Sequence, residues 1–174
     1  TLWGSWVFNF NDKSIYFSGD TGYMDEFVNI SERYGPFDLA FLDSGQYNAA
    51  WQQIHMLPEE VIQAGIDLNA SVILPIHISK YELSLHHWYE PMELVSTLGA
   101  ERNVTVATPL LGSSFIIGEE IPNDTWWRGV SECTEPFLDE NPVIEYVLIY
   151  TGMIGVMWIV LPRMKNRKSN LEEE

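Results

Sequence analysis

Two residues of metal-ligand type stand where apolar runs end. Tyr16-Phe17-Ser18-Gly19-Asp20-Thr21-Gly22-Tyr23 breaks from an apolar stretch into a glycine-flanked carboxylate, and Val72-Ile73-Leu74-Pro75-Ile76-His77 ends on an imidazole. Each has the form of a buried strand whose C-terminal tip carries a polar side chain. Active sites of layered α/β proteins gather at such tips, and an Asp–His pair suits a zinc-like ion, which takes oxygen and nitrogen donors together. Neither signal is specific alone. A carboxylate in a Gly-Asp-Thr-Gly turn ordinarily bonds neighbouring amides, and a lone histidine at a strand end is ordinarily structural. Two ligands do not hold a catalytic metal, so the pair reads as half of a site.

The elements that must position these tips follow from periodicity and turn chemistry. Gly4 to Phe10 and Ser14 to Ser18 predict a β-hairpin joined through Asn11-Asp12-Lys13. Asp25 is expected to cap a helix in which Phe27, Ile30 and Tyr34 share a face and which Gly35-Pro36 stops. Leu39 to Leu42 is a short buried strand, and Asp43 to His55 a loop. Pro58-Glu59-Glu60 suits a first helical turn, where proline orphans no N–H and the helix dipole favours carboxylates. That helix runs to about Asn69, and Ser71 to Ile76 follows as a strand. After a loop from Ile78 to Glu90, Pro91 opens a helix to about Gly99; Val104 to Ala107 and Ser114 to Ile117 are expected to close the sheet as strands. Strands alternating with helices predict an α/β domain with helices covering a sheet.

Composition narrows the function classes. The 174 residues suffice for one sizeable core. With 25 acidic residues against 9 basic ones the formal charge is −16, a field that repels phosphate backbones and argues against a nucleic-acid partner. The single cysteine, Cys133, excludes an intrachain disulfide and a cysteine-rich zinc site. Thr1-Leu2-Trp3-Gly4-Ser5-Trp6 lacks an initiator methionine, a basic leader and an apolar leader core, so the expectation is a piece whose amino-terminal part is missing.

Composition changes after Gly118. Residues 119–142 are acidic and proline-containing and read as an edge segment plus linker, following a domain over 1–118. Residues 143–161 carry one charge, Glu145, and precede the basic cluster Arg163, Lys165, Arg167 and Lys168 in the charged tail 162–174. At ~1.5 Å per residue the apolar segment is roughly 28 Å long, close to the ~30 Å hydrocarbon core. Tyr146, Tyr150 and Trp158 lie toward its ends, as interface anchors do. A buried amphipathic helix fits poorly, because the segment is apolar all round. The expectation is a single C-terminal transmembrane helix with its tail cytoplasmic and the preceding domain on the opposite, extracytoplasmic face.

Longer strings point to a family. Leu2-Trp3-Gly4-Ser5-Trp6-Val7, Gly19-Asp20-Thr21-Gly22-Tyr23, Arg33-Tyr34-Gly35-Pro36-Phe37-Asp38-Leu39-Ala40, His55-Met56-Leu57-Pro58-Glu59-Glu60, Leu74-Pro75-Ile76-His77 and His86-His87-Trp88-Tyr89-Glu90-Pro91 occur in one order. The chain from about Leu2 to Trp127 thus resembles the carboxy-terminal half of metallo-β-lactamase-fold hydrolases. The pattern looks like that of the N-acylphosphatidylethanolamine-hydrolysing phospholipase D branch and its bacterial relatives. The resemblance implies half of an αββα sandwich, two zinc ions in the intact protein, Asp20 as the bridging carboxylate and His77 as the last histidine ligand. The family's His-x-His-x-Asp-His motif belongs to the amino-terminal half and is absent from this sequence. His55 matches a histidine near the substrate, with a substrate-binding or proton-handling role implied against a packing role at the helix entry. His86 has a similar match without a defined role, while His87 and Lys80 read as surface residues.

The implied function is a metal-dependent hydrolase that activates water to cleave a phosphodiester such as a phospholipid, with a small-molecule or lipid substrate and a membrane as partners. The piece alone is expected to be nearly inactive. The alternative is a noncatalytic membrane-anchored binding module derived from the same fold. The chain departs from the family at Ile78-Ser79, where Trp-Gly is usual, and at Asp43-Ser44-Gly45-Gln46-Tyr47. Both flank the implied pocket.

Overall fold

The computed structural model describes residues 4–130. β1 (Trp6–Phe10) and β2 (Lys13–Phe17) form the expected antiparallel hairpin, turning on Asn11, whose φ of 53° suits a short polar residue. β3 (Leu39–Asp43) and β4 (Ile73–Ile76) then pair parallel, giving the order β1-β2-β3-β4. Parallel neighbours need crossovers, and helices α1 (Glu26–Tyr34) and α2 (Pro58–Asp67) supply them.

Paired residues share a face of the sheet, so the register sorts the side chains. Val7, Tyr16, Ala40, Leu42 and Ile73 pack in one cluster with Phe27 of α1 and Val61, Ile62 and Ala64 of α2. On the opposite face, Leu39, Ile15, Phe41 and Leu74 pack with Ala107, Phe115, Ile117 and Ile121. That cover stops short of the hairpin, where Trp6, Phe8 and Phe10 stay 64 %, 48 % and 50 % exposed. An aromatic row of that kind is costly in water unless it meets a partner surface.

Each helix has a local cause. In α1, Phe27 is fully buried edge-on to Tyr16, but Asp25 makes no side-chain capping bond and already sits in helical geometry, correcting the expected cap. Pro58 opens α2 as expected, and Glu60 reaches back to accept the Leu57 N–H at 2.8 Å. Gly65 lets α2 lie close on β4, since a Cβ there would come within 2.1 Å of Ile73. α3 (Glu90–Arg102) runs past the expected stop at Gly99, which is buried in the helix, and ends at Asn103 in a left-handed conformation.

The two expected closing strands do not form. Over 104–107 the only pairing is an isolated Ile73–Val106 bridge, and 114–117 joins no strand. Pro109 has no N–H to extend the ladder, and the Thr108 N–H goes to the Pro122 carbonyl instead. The segment covers the sheet through side chains rather than by pairing.

Within the stretch expected to be an edge and linker, α4 (Trp127–Val130) packs back on α3. Trp127 is 1 % exposed and donates Nε1–H to Glu93 Oε2 at 2.8 Å. The Arg128 guanidinium meets both oxygens of the same carboxylate, at 2.9 and 2.6 Å. The remainder of the linker, the expected membrane helix over 143–161 and the tail lie outside the described residues. Among the described residues no helix is long and apolar enough to cross a membrane.

The Arg128 guanidinium, then the Trp127 indole, hold the Glu93 carboxyl below its usual range. A depressed carboxyl contributes stability that is present above its unfolded pKa and lost as pH falls through the folded value. Acidification below the carboxylate range, or Glu93→Gln at neutral pH, is therefore expected to lower the hydrogen-exchange protection of Arg128 and Gly129, relative to the intrinsic rate at each pH, before the β-sheet amides respond. Equal protection in both proteins across that range contradicts the clamp.

Candidate active site

Three chain exits share one edge of the sheet. β2, β3 and β4 run parallel and adjacent, and Asp43, the last residue of β3, pairs with Ile76, the last of β4. Asp20 follows β2 by a short turn, Asp43 ends β3, and His77 begins the chain beyond β4. The turn after β2 is built tightly. Gly19 has φ 64° and lies against the Gly4 carbonyl, where a Cβ would come within 2.8 Å, and Ser18 Oγ accepts the Asp43 N–H at 2.9 Å.

Asp43 is the centre of this edge, and sequence reasoning missed it. Its side chain is fully buried. Oδ2 accepts the Thr21 N–H at 2.9 Å and lies 2.8 Å from His55 Nδ1. Burial is the main influence and raises its pKa, with His55, the Thr21 amide and His77 pulling the other way. Against an ionised Asp43, which only accepts, Nδ1 carries the His55 proton and Nε2 is the available nitrogen. Oδ1 is buried and meets no hydrogen-bond donor among the described residues.

His55 lies just before Pro58, at the entry to α2. Its side chain is 15 % exposed, and its ring stacks on that of His77 with centroids 5.2 Å apart and planes 23° from parallel. His77 is exposed and has φ 63°, a left-handed backbone that costs a non-glycine residue roughly 1–2 kcal/mol. Gly45 makes room for it, because a Cβ at position 45 would come within 1.9 Å of the His77 carbonyl oxygen. Asp20 is exposed and forms no hydrogen bond or ion pair among the described residues.

The remaining candidates lie on the loop after His77. His86 is 8 % exposed, stacks on Tyr47 at 4.3 Å and donates Nδ1–H to the His87 carbonyl, leaving Nε2 buried without a partner among the described residues. His87 lies outside, 3.4 Å from Glu82, and Lys80 is exposed beside the Tyr81 ring.

Open donors at Asp20 and His77, with an unpaired carboxylate oxygen buried nearby, match a zinc-like ion in kind. They fall short in number. Among the described residues no group of three or more His, Cys, Asp or Glu side chains is arranged to hold a metal.

A raised carboxyl pKa favours folding below the ordinary carboxylate range, and that contribution is lost as pH rises through the raised value. An ionised Asp43 side chain in this buried position therefore works against the fold. Asp43→Asn removes that charge in nearly the same shape. Its metal-free form is expected to melt no lower than wild type at neutral pH, while losing the charged acceptor that orients His55. A loss of stability beyond about 1.5 kcal/mol contradicts this account of Asp43.

Comparison with known proteins agrees with this fold. Residues 1–78 match the beta-lactamase superfamily domain. The chain is 40 % identical over 131 residues to an uncharacterized protein of Mycobacterium bovis, covering 74 % of this chain and 35 % of that protein. It is 39 % identical over 103 residues to the mitochondrial N-acyl-phosphatidylethanolamine-hydrolyzing phospholipase D of Saccharomyces cerevisiae, covering 56 % of this chain and 22 % of the relative. It is 34 % identical over 115 residues to a UPF0173 metal-dependent hydrolase of Listeria monocytogenes, covering 66 % of this chain and 42 % of the relative. Among solved structures, the isothiocyanate hydrolase from Delia radicum gut bacteria shares the fold at a TM-score of 0.50 and 23 % identity, over 65 % of this chain and 44 % of that one. The chain thus spans under half the length of each of these proteins. It is a metallo-β-lactamase-fold relative, similar over part of their length to proteins described as metal-dependent hydrolases.

Proposed function

We propose that the intact protein is a zinc-dependent hydrolase that cleaves a phosphodiester, with a phospholipid as the favoured substrate. The observation that supports this most is the meeting of Asp20, the Asp43–His55 pair and His77 at adjacent parallel strand ends, with the two histidine rings stacked. Asp20 would contribute carboxylate oxygen and His77 a ring nitrogen to hold the zinc. The remaining ligands would come from a His-x-His-x-Asp-His segment, which these 174 residues do not contain. When bound, zinc brings the pKa of a water to about 7 and polarises the oxygens of an ester.

His55 handles the proton. Asp43 accepts from Nδ1–H, so Nε2 is the atom that takes a proton or returns one, on a ring that stacks on His77. The exposed aromatic row of β1 supports a sandwich in which a second sheet, from outside the described residues, packs on this one. The likeness to the yeast phospholipase supports a lipid phosphodiester as the substrate class. The apolar stretch 143–161 supports a C-terminal anchor, its tail cytoplasmic and the hydrolase domain on the other face, which keeps the enzyme beside such a substrate.

The full-length protein, prepared with zinc and offered a phospholipid, a generic phosphodiester and a lactone, tests the assignment. Asp20→Ala and His77→Ala are expected to lose bound zinc and hydrolysis together. His55→Gln is expected to keep its zinc and turn over ~10²-fold more slowly. Wild-type zinc content and turnover in both alanine variants contradict the ligand roles, and wild-type turnover in His55→Gln contradicts the proton role.

A further inference from the structure

The loop from Ile78 to Trp88 leaves the sheet through two strained residues. His77 and Ser79 both have left-handed backbones, with φ of 63° and 68°, and neither is glycine. Such geometry persists only where surrounding structure holds it. The loop's own apolar side chains do not do so, since Tyr81, Leu83 and Leu85 are exposed. Something else ties the loop down.

The tie comes from two consecutive residues after β3. The Gln46 carboxamide donates through Nε2 to the Tyr81 carbonyl at 3.1 Å and accepts the Leu83 N–H through Oε1 at 3.0 Å. It thereby engages the far backbone as a neighbouring strand would. The Tyr47 carbonyl accepts Ser84 Oγ–H at 2.7 Å, the Tyr47 ring stacks on His86, and its hydroxyl donates to Glu90 Oε1 at 2.8 Å. Gln46 is itself held. It is nearly buried, its φ is 58°, and its carbonyl accepts the Trp51 indole N–H at 2.8 Å. The preceding Gly45 lies directly against the His77 carbonyl.

We propose that Gln46 is a positioning residue for His77: its side-chain amide closes the loop that keeps the His77 ring against His55 and aimed at the metal. This rests on the zinc role proposed for His77. Residues that orient a ligand without touching the metal change its affinity by ~10- to 100-fold when removed. Gln46 does so through the backbone of the loop, so its loss loosens His77 while leaving the helices and the core unchanged.

The test uses full-length protein stripped of metal. Zn2+ affinity is measured against a competing chelator, and hydrogen exchange is followed at the Leu83 amide without metal. Gln46→Met and Gln46→Ala each remove both bonds to the loop. The expected result is ~10-fold weaker zinc binding, faster Leu83 exchange and an unchanged circular dichroism spectrum. Gln46→Glu keeps an acceptor for Leu83 and is expected to retain more affinity than either. Wild-type zinc affinity in a folded Met or Ala variant, beside a defective His77→Ala, overturns the positioning role and leaves His77 a ligand. Weakened zinc binding with unchanged Leu83 exchange overturns it as well, because the effect would not pass through the loop. Wild-type zinc affinity in His77→Ala overturns the zinc role itself, and the proposal with it.

Discussion

Parallel pairing of β2, β3 and β4 constrains everything else in the structure, because parallel strands end together. Once Phe17 pairs with Phe41 and Asp43 with Ile76, the chain segments carrying Asp20, Asp43 and His77 emerge side by side whatever the loops beyond them do. The pairing is secured by the core on one face of the sheet. Tyr16, Leu42 and Ile73 are fully buried there under α1 and α2, and a register slip of one residue would turn them out to solvent. The energy of the core is thus the energy that aligns the site.

Polar detail then refines what the sheet aligns. Asp43 is the only carboxylate at this edge whose side chain is fully buried among the described residues, and it joins two chain exits by accepting from Thr21 and from His55. A buried carboxylate is costly unless its partners are close and well oriented, and such cost is commonly accepted where function needs a fixed charge. The strained backbone at His77 belongs to the same pattern. Local rules are broken at the strand ends and obeyed in the helices, where Pro58 and Asn103 stand in positions their chemistry favours.

Much of this was legible in the sequence, for reasons that also explain the gaps. Asp20 and His77 stood out because each ends an apolar run, and the four strands of the sheet and its three long helices follow from the same runs and from Pro58 and Pro91. Asp43 was missed because the strand was expected to end at Leu42, so a charged residue in its last position looked like the start of a loop. The rule applied to Asp20 and His77 would have found it. His55 was visible only through family resemblance, since its partner Asp43 is a tertiary neighbour with no sequence spacing to betray it. The closing strands were overcalled at Val104 and Val106, whose β-branched side chains suit a strand, because side-chain patterns do not show where the ladder N–H groups go. Gln46 was noticed only as a departure from the family. Its amide acts across the fold on Tyr81 and Leu83, and no local pattern records that.

The central claim is that Asp43 fixes the His55 proton on Nδ1 while His77 stays open for a metal. Nitrogen-15 NMR of the imidazole rings in the full-length protein, before and after addition of Zn2+, tests it most directly. The account predicts a protonated, hydrogen-bonded His55 Nδ1 in both spectra and a large shift of one His77 ring nitrogen when zinc is added. A His55 ring protonated on Nε2 alone, or a His77 ring that zinc leaves unmoved, would contradict it.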